Sequence, residues 1–248
     1  MSAPRFFVDL PLSAGAQVQL PTPVAHHAWR VLRLGEGASI TLFNGTGGEY
    51  GAVLGDAQRM LALVGAHATV ERESPLDLTL VQALVATEKL DLIVEKATEL
   101  GAARVVLLPA ARSVVRLSGE RLQRRLMHLA AVTRAACEQC GRNRVPSVSA
   151  VASFEQAAAA APMDALRLLL TPSVAPVARP ETLPGACAFV VAIGPEGGFT
   201  ADEIAQAQAG GYRLMTLGPR VLRTETAGLA MLAALQGLHG DFGAQELT

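Results

Sequence analysis

The stretch CAFVVAIGPEGGFTADEIAQAQAGGYRLMTLGPRVLRTETAGLAMLAALQGL, Cys187 to Leu238, contains one local pattern twice. In each copy an apolar, β-prone run ends in a glycine-proline turn and gives way to helical periodicity. Strands are expected over Cys187–Ile193 and Arg213–Leu217, and helices over Ala201–Ala209 and from about Thr226 to Leu238. Thr200 and Glu203 have capping-box spacing at the start of the first helix. A glycine at the end of a buried strand permits positive φ and lets backbone approach a ligand without a Cβ in the way. For either loop alone, a tight turn with no ligand is the plainer alternative. Two such loops after two strands imply one shared pocket, and Arg220, Arg223 and Glu225 bring both charge signs to its mouth. Glu225 also has a purely structural reading, as a favourable charge in the first helical turn.

Upstream of this stretch the alternation continues. Leu76–Val85, Arg104–Leu108 and Leu166–Leu170 read as strands. Glu88–Leu100, closed by Gly101, Gly119–Gln139 and Phe154–Ala161 read as helices. Pro172–Pro184 reads as a connecting loop. Strands alternating with helices predict an α/β fold with a parallel sheet covered on both faces. Ligands in such sheets bind beyond the carboxyl ends of the strands, here after Leu170, Ile193 and Leu217. Before the charged run Glu71–Ser74 and Pro75 the character is different. Ser39–Phe43 and Tyr50–Leu54 flank an Asn44-Gly45 hairpin signal, and Val24, Ala28, Val31 and Leu32 form an apolar stripe over a helical Thr22–Leu32. The expectation is a small β-barrel domain over residues 1–73 and a larger domain over residues 74–248.

Composition agrees with ordinary soluble globular domains, since 50% of the 248 residues are hydrophobic and 17% charged. Asp9 and Pro11 interrupt the first apolar stretch before a signal-peptide core forms, and no run reaches bilayer-spanning length. With 3 Cys, a reducing cytoplasmic compartment is the simplest expectation, and no membrane partner is expected. Cys137 and Cys140 spell CxxC but lack the second pair a zinc site needs, HExxH is absent, and no metal is expected. Neither GxGxxG, GxxxxGK[ST] nor GxSxG occurs, which weighs against dinucleotide, P-loop and hydrolase chemistry. The net charge of -1 hides a segregated distribution. Arginines crowd the stretch from Arg104 to Arg144, which is either a solvated face or a phosphate-binding surface.

These residues together resemble the SPOUT methyltransferases with a deep trefoil knot. Within that group the chain is similar to the ribosomal RNA small subunit methyltransferase E family, which methylates N3 of a uridine in 16S rRNA. The likeness rests on RFF at Arg5–Phe7, HHAWRVLRLGEG at His26–Gly37, EKLDLIVEKATELGA at Glu88–Ala102, EQCGRNRVP at Glu138–Pro146, IGPEGGFTADE at Ile193–Glu203, and LGPRVLRTETA at Leu217–Ala227. Cys140 stands where the family commonly has serine, so the CxxC looks incidental.

The resemblance implies a PUA-like RNA-binding barrel, a SPOUT-type parallel sheet with a C-terminal knot, a homodimer, and 16S rRNA or the small ribosomal subunit as partner. Chains are otherwise generally unknotted. It also implies S-adenosyl-L-methionine as cofactor, held by Leu170 and Thr171, by Gly194, Pro195, Glu196, Gly197 and Gly198, and by Leu217, Gly218, Val221, Leu222, Thr226 and Ala227. Arg223 is the candidate for stabilising the uracil anion, Arg220 for the same role or for holding a phosphate, and Glu225 for the base. Arg5, Arg30, Arg33, Arg112, Arg116, Arg142 and Arg144 are the candidate RNA contacts. A non-catalytic RNA-binding protein, or a methyltransferase acting on another RNA, are the alternatives.

Overall fold

The computed structural model describes residues 3–172 and 187–243, so the loop expected over Pro172–Pro184 lies, after Pro172, outside the described residues. Two compact units are formed, Met1–Glu73 with Arg134–Val145, and Ser74–Thr133 with Pro146–Thr248.

The second unit is built on β6 (Asp77–Ala83), β7 (Ala102–Leu108), β8 (Ser147–Ala150), β9 (Leu166–Leu170), β10 (Ala188–Ile193) and β11 (Arg213–Met215). These strands form a six-stranded sheet in the order β11-β9-β10-β6-β7-β8, and every ladder in it is parallel. β10 is buried along its whole length, as a strand covered on both faces must be. Its side chains still alternate. Phe189, Val191 and Ile193 join the cluster that includes Leu90, Ile93, Val94 and Ala97 of α2 (Thr87–Glu99) and Met231, Leu232 and Leu235 of α6 (Thr224–His239). Val190 and Ala192 join the opposite cluster, with Phe154 and Ala157 of α4 (Phe154–Ala159) and Ala207 of α5 (Ala201–Ala209). α6 approaches closely because Gly228 has no Cβ: one built there would lie 3.1 Å from Leu80 Cδ1 and 3.2 Å from Ile193 Cγ1. The expected capping box of α5 is present, with Thr200 N donating to Glu203 Oε2 at 2.8 Å and Glu203 N to Thr200 Oγ1 at 3.2 Å.

Some boundaries differ from expectation. β11 stops at Met215 rather than Leu217, because its pairing partner β9 itself stops at Leu170, opposite Met215. α6 begins at Thr224, two residues earlier than expected, with the Arg223 carbonyl accepting from the amides of Thr226 and Ala227. β8, only 4 residues long, carries too few side chains for its alternation to register as a strand.

The first unit holds β1 (Arg5–Phe7), β2 (Gln17–Gln19), β3 (Ser39–Phe43), β4 (Glu49–Leu54) and β5 (Leu61–Ala68). The Asn44-Gly45 hairpin joins β3 and β4 as expected. The ladder order β1-β3-β4-β5-β2 leaves β1 and β2 as edges among the described residues, so the expected barrel is not closed by hydrogen bonding. The expected single helix is instead α1 (Thr22–His26) followed by a π-helical turn, His27–Val31. The wider turn changes the angular step. Ala25 and Ala28 face the core, while Val31 and Leu32, expected to be buried, are 57% and 42% exposed.

Residues 134–145, expected in the larger domain, are bound to the first unit by buried polar chemistry. Glu73 Oε2 accepts from Arg142 Nε at 2.8 Å and Nη2 at 2.6 Å, while Oε1 accepts from the amides of Asn143 and Arg144, each at 3.1 Å. Arg5 spans Glu49 and Asn143 Oδ1, the latter at 2.7 Å. Phe7 N donates to Glu138 Oε1 at 2.9 Å, while burial pushes the Glu138 carboxyl above its ordinary range. Burial also pushes the Cys137 thiol up to about 12, so it remains protonated at neutral pH. Among the described residues no His/Cys/Asp/Glu group is placed to hold a metal ion, and no helix is long and apolar enough to cross a membrane.

Removing one partner of a buried ion pair costs much more than an exposed pair contributes. We expect Glu73→Ala to destabilise the first unit by about 3 kcal/mol, read as a lower urea midpoint, with Glu73→Gln milder because its amide oxygen still accepts.

Candidate functional site

Sheet register builds the site. Ile193 lies opposite both Gln82 and Leu170, and Leu170 lies opposite Met215, so β9, β10 and β11 end on one line and β6 one residue beyond it. The loops leaving that line surround a cleft of about 630 Å³, within the range typical of small-molecule sites. Leu170, Ile193, Met215, Leu217 and Leu222 give it apolar walls, and Gly194–Gly198 give it a backbone-rich rim.

The first rim loop folds back on itself. A Cβ on Gly194 would lie 3.1 Å from Phe199 N and 3.2 Å from Gly198 Cα, so any side chain here would press on the backbone of the turn. Gly198, at φ +69°, closes the turn by donating to the Pro195 carbonyl at 2.8 Å. Phe199 anchors the far end, its ring edge-on to Phe154 with centroids 5.2 Å apart. The loop after β7 hangs on the same turn through Arg112 Nη1 to the Gly197 carbonyl and Ala111 N to Glu203 Oε1, each at 2.8 Å.

Thr224 fastens the second loop to the first. Its buried hydroxyl donates to the Gly194 carbonyl at 2.7 Å and accepts from Gln82 Nε2 at 3.0 Å. One oxygen thus ties the ends of β6 and β10 to the N-terminus of α6. Charge sits further out. Lys89 Nζ lies 2.8 Å from Glu196 Oε1 and 3.5 Å from Glu225 Oε2, and Arg223 Nη1 lies 3.9 Å from Glu225 Oε1. The hydrogen bond between Lys89 and Glu196 holds the ammonium above its usual range and the carboxyl below its own.

The cleft brings together most of the expected site. Leu170, Thr171, Gly194, Pro195, Glu196, Gly197, Gly198, Leu217, Val221, Leu222 and Ala227 line it, as do Arg220, Arg223 and Glu225. Gly218, exposed in the second loop, and Thr226, exposed in the first turn of α6, do not contribute to the lining. Lys89, Ile193, Phe199, Met215 and Thr224 also line it, although the sequence does not mark them as site residues. Ile193 was legible as a strand end and Met215 as an inner residue of the strand expected over Arg213–Leu217, whereas Lys89, 107 positions from Glu196, carries no local signal.

Two of the expected RNA contacts are corrected. Arg142 is 5% exposed and clasped by Glu73, and Arg5 is half-buried against Glu49 and Asn143, so both guanidiniums hold the first unit together. Arg30, Arg33, Arg112, Arg116 and Arg144 are exposed. Arg112 combines that exposure with a place in the cleft wall.

The RNA methyltransferase domain family matches residues 72–236, and the RNA methyltransferase PUA domain family matches residues 20–64. The Mycobacterium bovis ribosomal RNA small subunit methyltransferase E is 33% identical over 245 residues, covering 95% of this chain and 92% of that protein. The chain belongs to the ribosomal RNA small subunit methyltransferase E family. The Bacillus subtilis member is 30% identical, with 96% of this chain and 99% of the relative covered. A Neisseria gonorrhoeae member, solved bound to S-adenosyl methionine, superposes with a TM-score of 0.88 at 35% identity over 98% of this chain and 100% of that one. The Legionella pneumophila protein Lpg2936, solved with bound SAM, gives a TM-score of 0.91 at 31% identity, covering 97% and 100%.

Thr224→Val retains shape but leaves the Gly194 carbonyl and one Gln82 donor position without their partner, at a cost of about 2 kcal/mol. A urea titration should show this loss for Thr224→Val and recovery of most of it in Thr224→Ser.

Proposed function

We propose that this protein transfers a methyl group from S-adenosyl-L-methionine to N3 of a uridine in 16S rRNA of the small ribosomal subunit. The observation that carries this reading is the cleft at the register-aligned strand ends, whose volume, apolar walls and cramped glycine rim fit an adenosyl cofactor. Family membership and the cofactor bound to the Neisseria gonorrhoeae relative support it. Further parts of the same reading are a knotted C-terminal domain over residues 74–248, a PUA-like RNA-binding domain over residues 1–73, a homodimer, and a cytoplasmic location.

The residues that would hold the cofactor are Leu170 and Thr171, Gly194–Gly198, and Leu217, Val221, Leu222 and Ala227, chiefly through backbone groups and apolar walls. When bound, the cofactor supplies a methyl group already activated on a sulfonium. What the chain itself must do is align the uracil and stabilise the charge left when N3 loses its proton. The stabilising role is assigned to Arg223, which lines the cleft with a side chain 83% exposed and an ion pair to Glu225, at 3.9 Å, loose enough to exchange for a uracil carbonyl. Arg220 is assigned a second carbonyl or a phosphate. Glu225 is the candidate base, reaching the proton by giving up one of its two cationic neighbours. Exposed Arg112 and Arg116, with Arg30, Arg33 and Arg144, are assigned to the RNA backbone.

The test is methyl transfer to 30S subunits and to free rRNA, with the product mapped by mass spectrometry. A single 3-methyluridine in 16S rRNA is expected, and a methyl on another base or only on another RNA overturns the reading. At saturating cofactor, Arg223→Ala should slow single-turnover transfer about 100-fold, the scale of losing one donor to a developing anion; an unchanged rate removes Arg223 from the chemistry. Replacing Arg112 and Arg116 by alanine should flatten the salt dependence of RNA binding by about 0.7 in slope per side chain, measured by filter binding across a salt series.

A further inference from the structure

Lys89 occupies the first turn of α2, where the helix dipole disfavours a cation. Glu88 beside it has the sign that the position prefers. A lysine retained there requires compensation from elsewhere, and the fold supplies it from two loops distant in sequence. Glu196 comes from the turn after β10 and accepts from Lys89 Nζ at 2.8 Å; Glu225 comes from the first turn of α6, with Oε2 at 3.5 Å. That Glu225 oxygen is buried and accepts no hydrogen bond, so Lys89 is its charge partner among the described residues. The Lys89 side chain is only 31% exposed and lines the cleft together with both carboxylates.

We propose that Lys89 is a positioning residue for the cofactor, an ionic clasp that draws the Gly194–Gly198 turn and the start of α6 onto the start of α2. The proposal rests on reading the cleft as an S-adenosylmethionine site. Without the ammonium, two carboxylates within 3.5 Å of the same point would repel, and the two rim loops would separate at their outer edge. Thr224 clasps these loops at the buried bottom of the cleft and Lys89 at its mouth. Lysine suits this position because a compact ammonium can serve two carboxylates from different directions.

The test is calorimetric titration of the full chain with S-adenosylmethionine. Wild type should bind, K89M should bind about tenfold more weakly, and K89R should recover to within about threefold of wild type. The double variant K89M/E196Q, which removes the repulsion without restoring a cation, should regain most of the loss. Binding by K89M within twofold of wild type overturns the clasp. Loss in K89M that neither K89R nor K89M/E196Q recovers overturns it too, since that outcome belongs to damage to α2 rather than to charge. Failure of wild type itself to bind would overturn the underlying cofactor reading, and is distinguished by appearing without any substitution.

Discussion

Parallel register is the constraint on which the second unit depends. Parallel strands return through crossovers, so each loop leaving a carboxyl end emerges on the same side of the sheet. Here the pairing also puts Gln82, Leu170, Ile193 and Met215 on one line. A shift of one residue in β10 would turn Phe189, Val191 and Ile193 to the other face and carry Gly194 away from Thr224. Core packing and site geometry are therefore specified by the same ladder. The buried apolar alternation that fixes the ladder also fixes where the cleft opens.

Electrostatics divides into two kinds of work. In the first unit, charges serve cohesion: Arg142, Arg5, Glu73 and Glu49 are turned inward and bind residues 134–145 to the small sheet. In the second unit, charged groups gather around the cleft, where Lys89, Glu196, Glu225 and Arg223 form a partly exposed chain of alternating sign. The difference in burial separates guanidiniums that hold structure from those that remain available to a polyanion.

Much of the sheet was legible because continuous apolar runs such as Phe189–Ile193, ended by glycine, admit few other readings. The two glycine-bearing loops of the cleft were legible for the same reason, as was the capping box of Thr200 and Glu203. What escaped was determined by partners distant in the chain. Thr224 looked like one of several loop residues, and only the fold brings Gln82 and Gly194 to its hydroxyl. Arg142 and Arg144 are near neighbours of one chemical type, yet one is buried on Glu73 and the other exposed, a distinction that depends on tertiary placement. The π-helical turn defeated a regular helical reading of Thr22–Leu32 because no residue type marks an i→i+5 turn.

The discontinuity of the first unit has a consequence for how the chain acquires its structure. Its small sheet is encoded within the first 73 residues, but the segment carrying Glu138, Arg142 and Asn143 follows some 60 residues later, after β6, α2 and β7. During synthesis the nascent sheet must therefore wait with the Glu73 carboxylate still hydrated until Arg142 and the amides of Asn143 and Arg144 have left the ribosome. Closing so long a loop is entropically costly, so final consolidation of the first unit is coupled to the intervening part of the second. A protein read as acting on the ribosome is thus one whose own N-terminal unit is completed late in its passage from it.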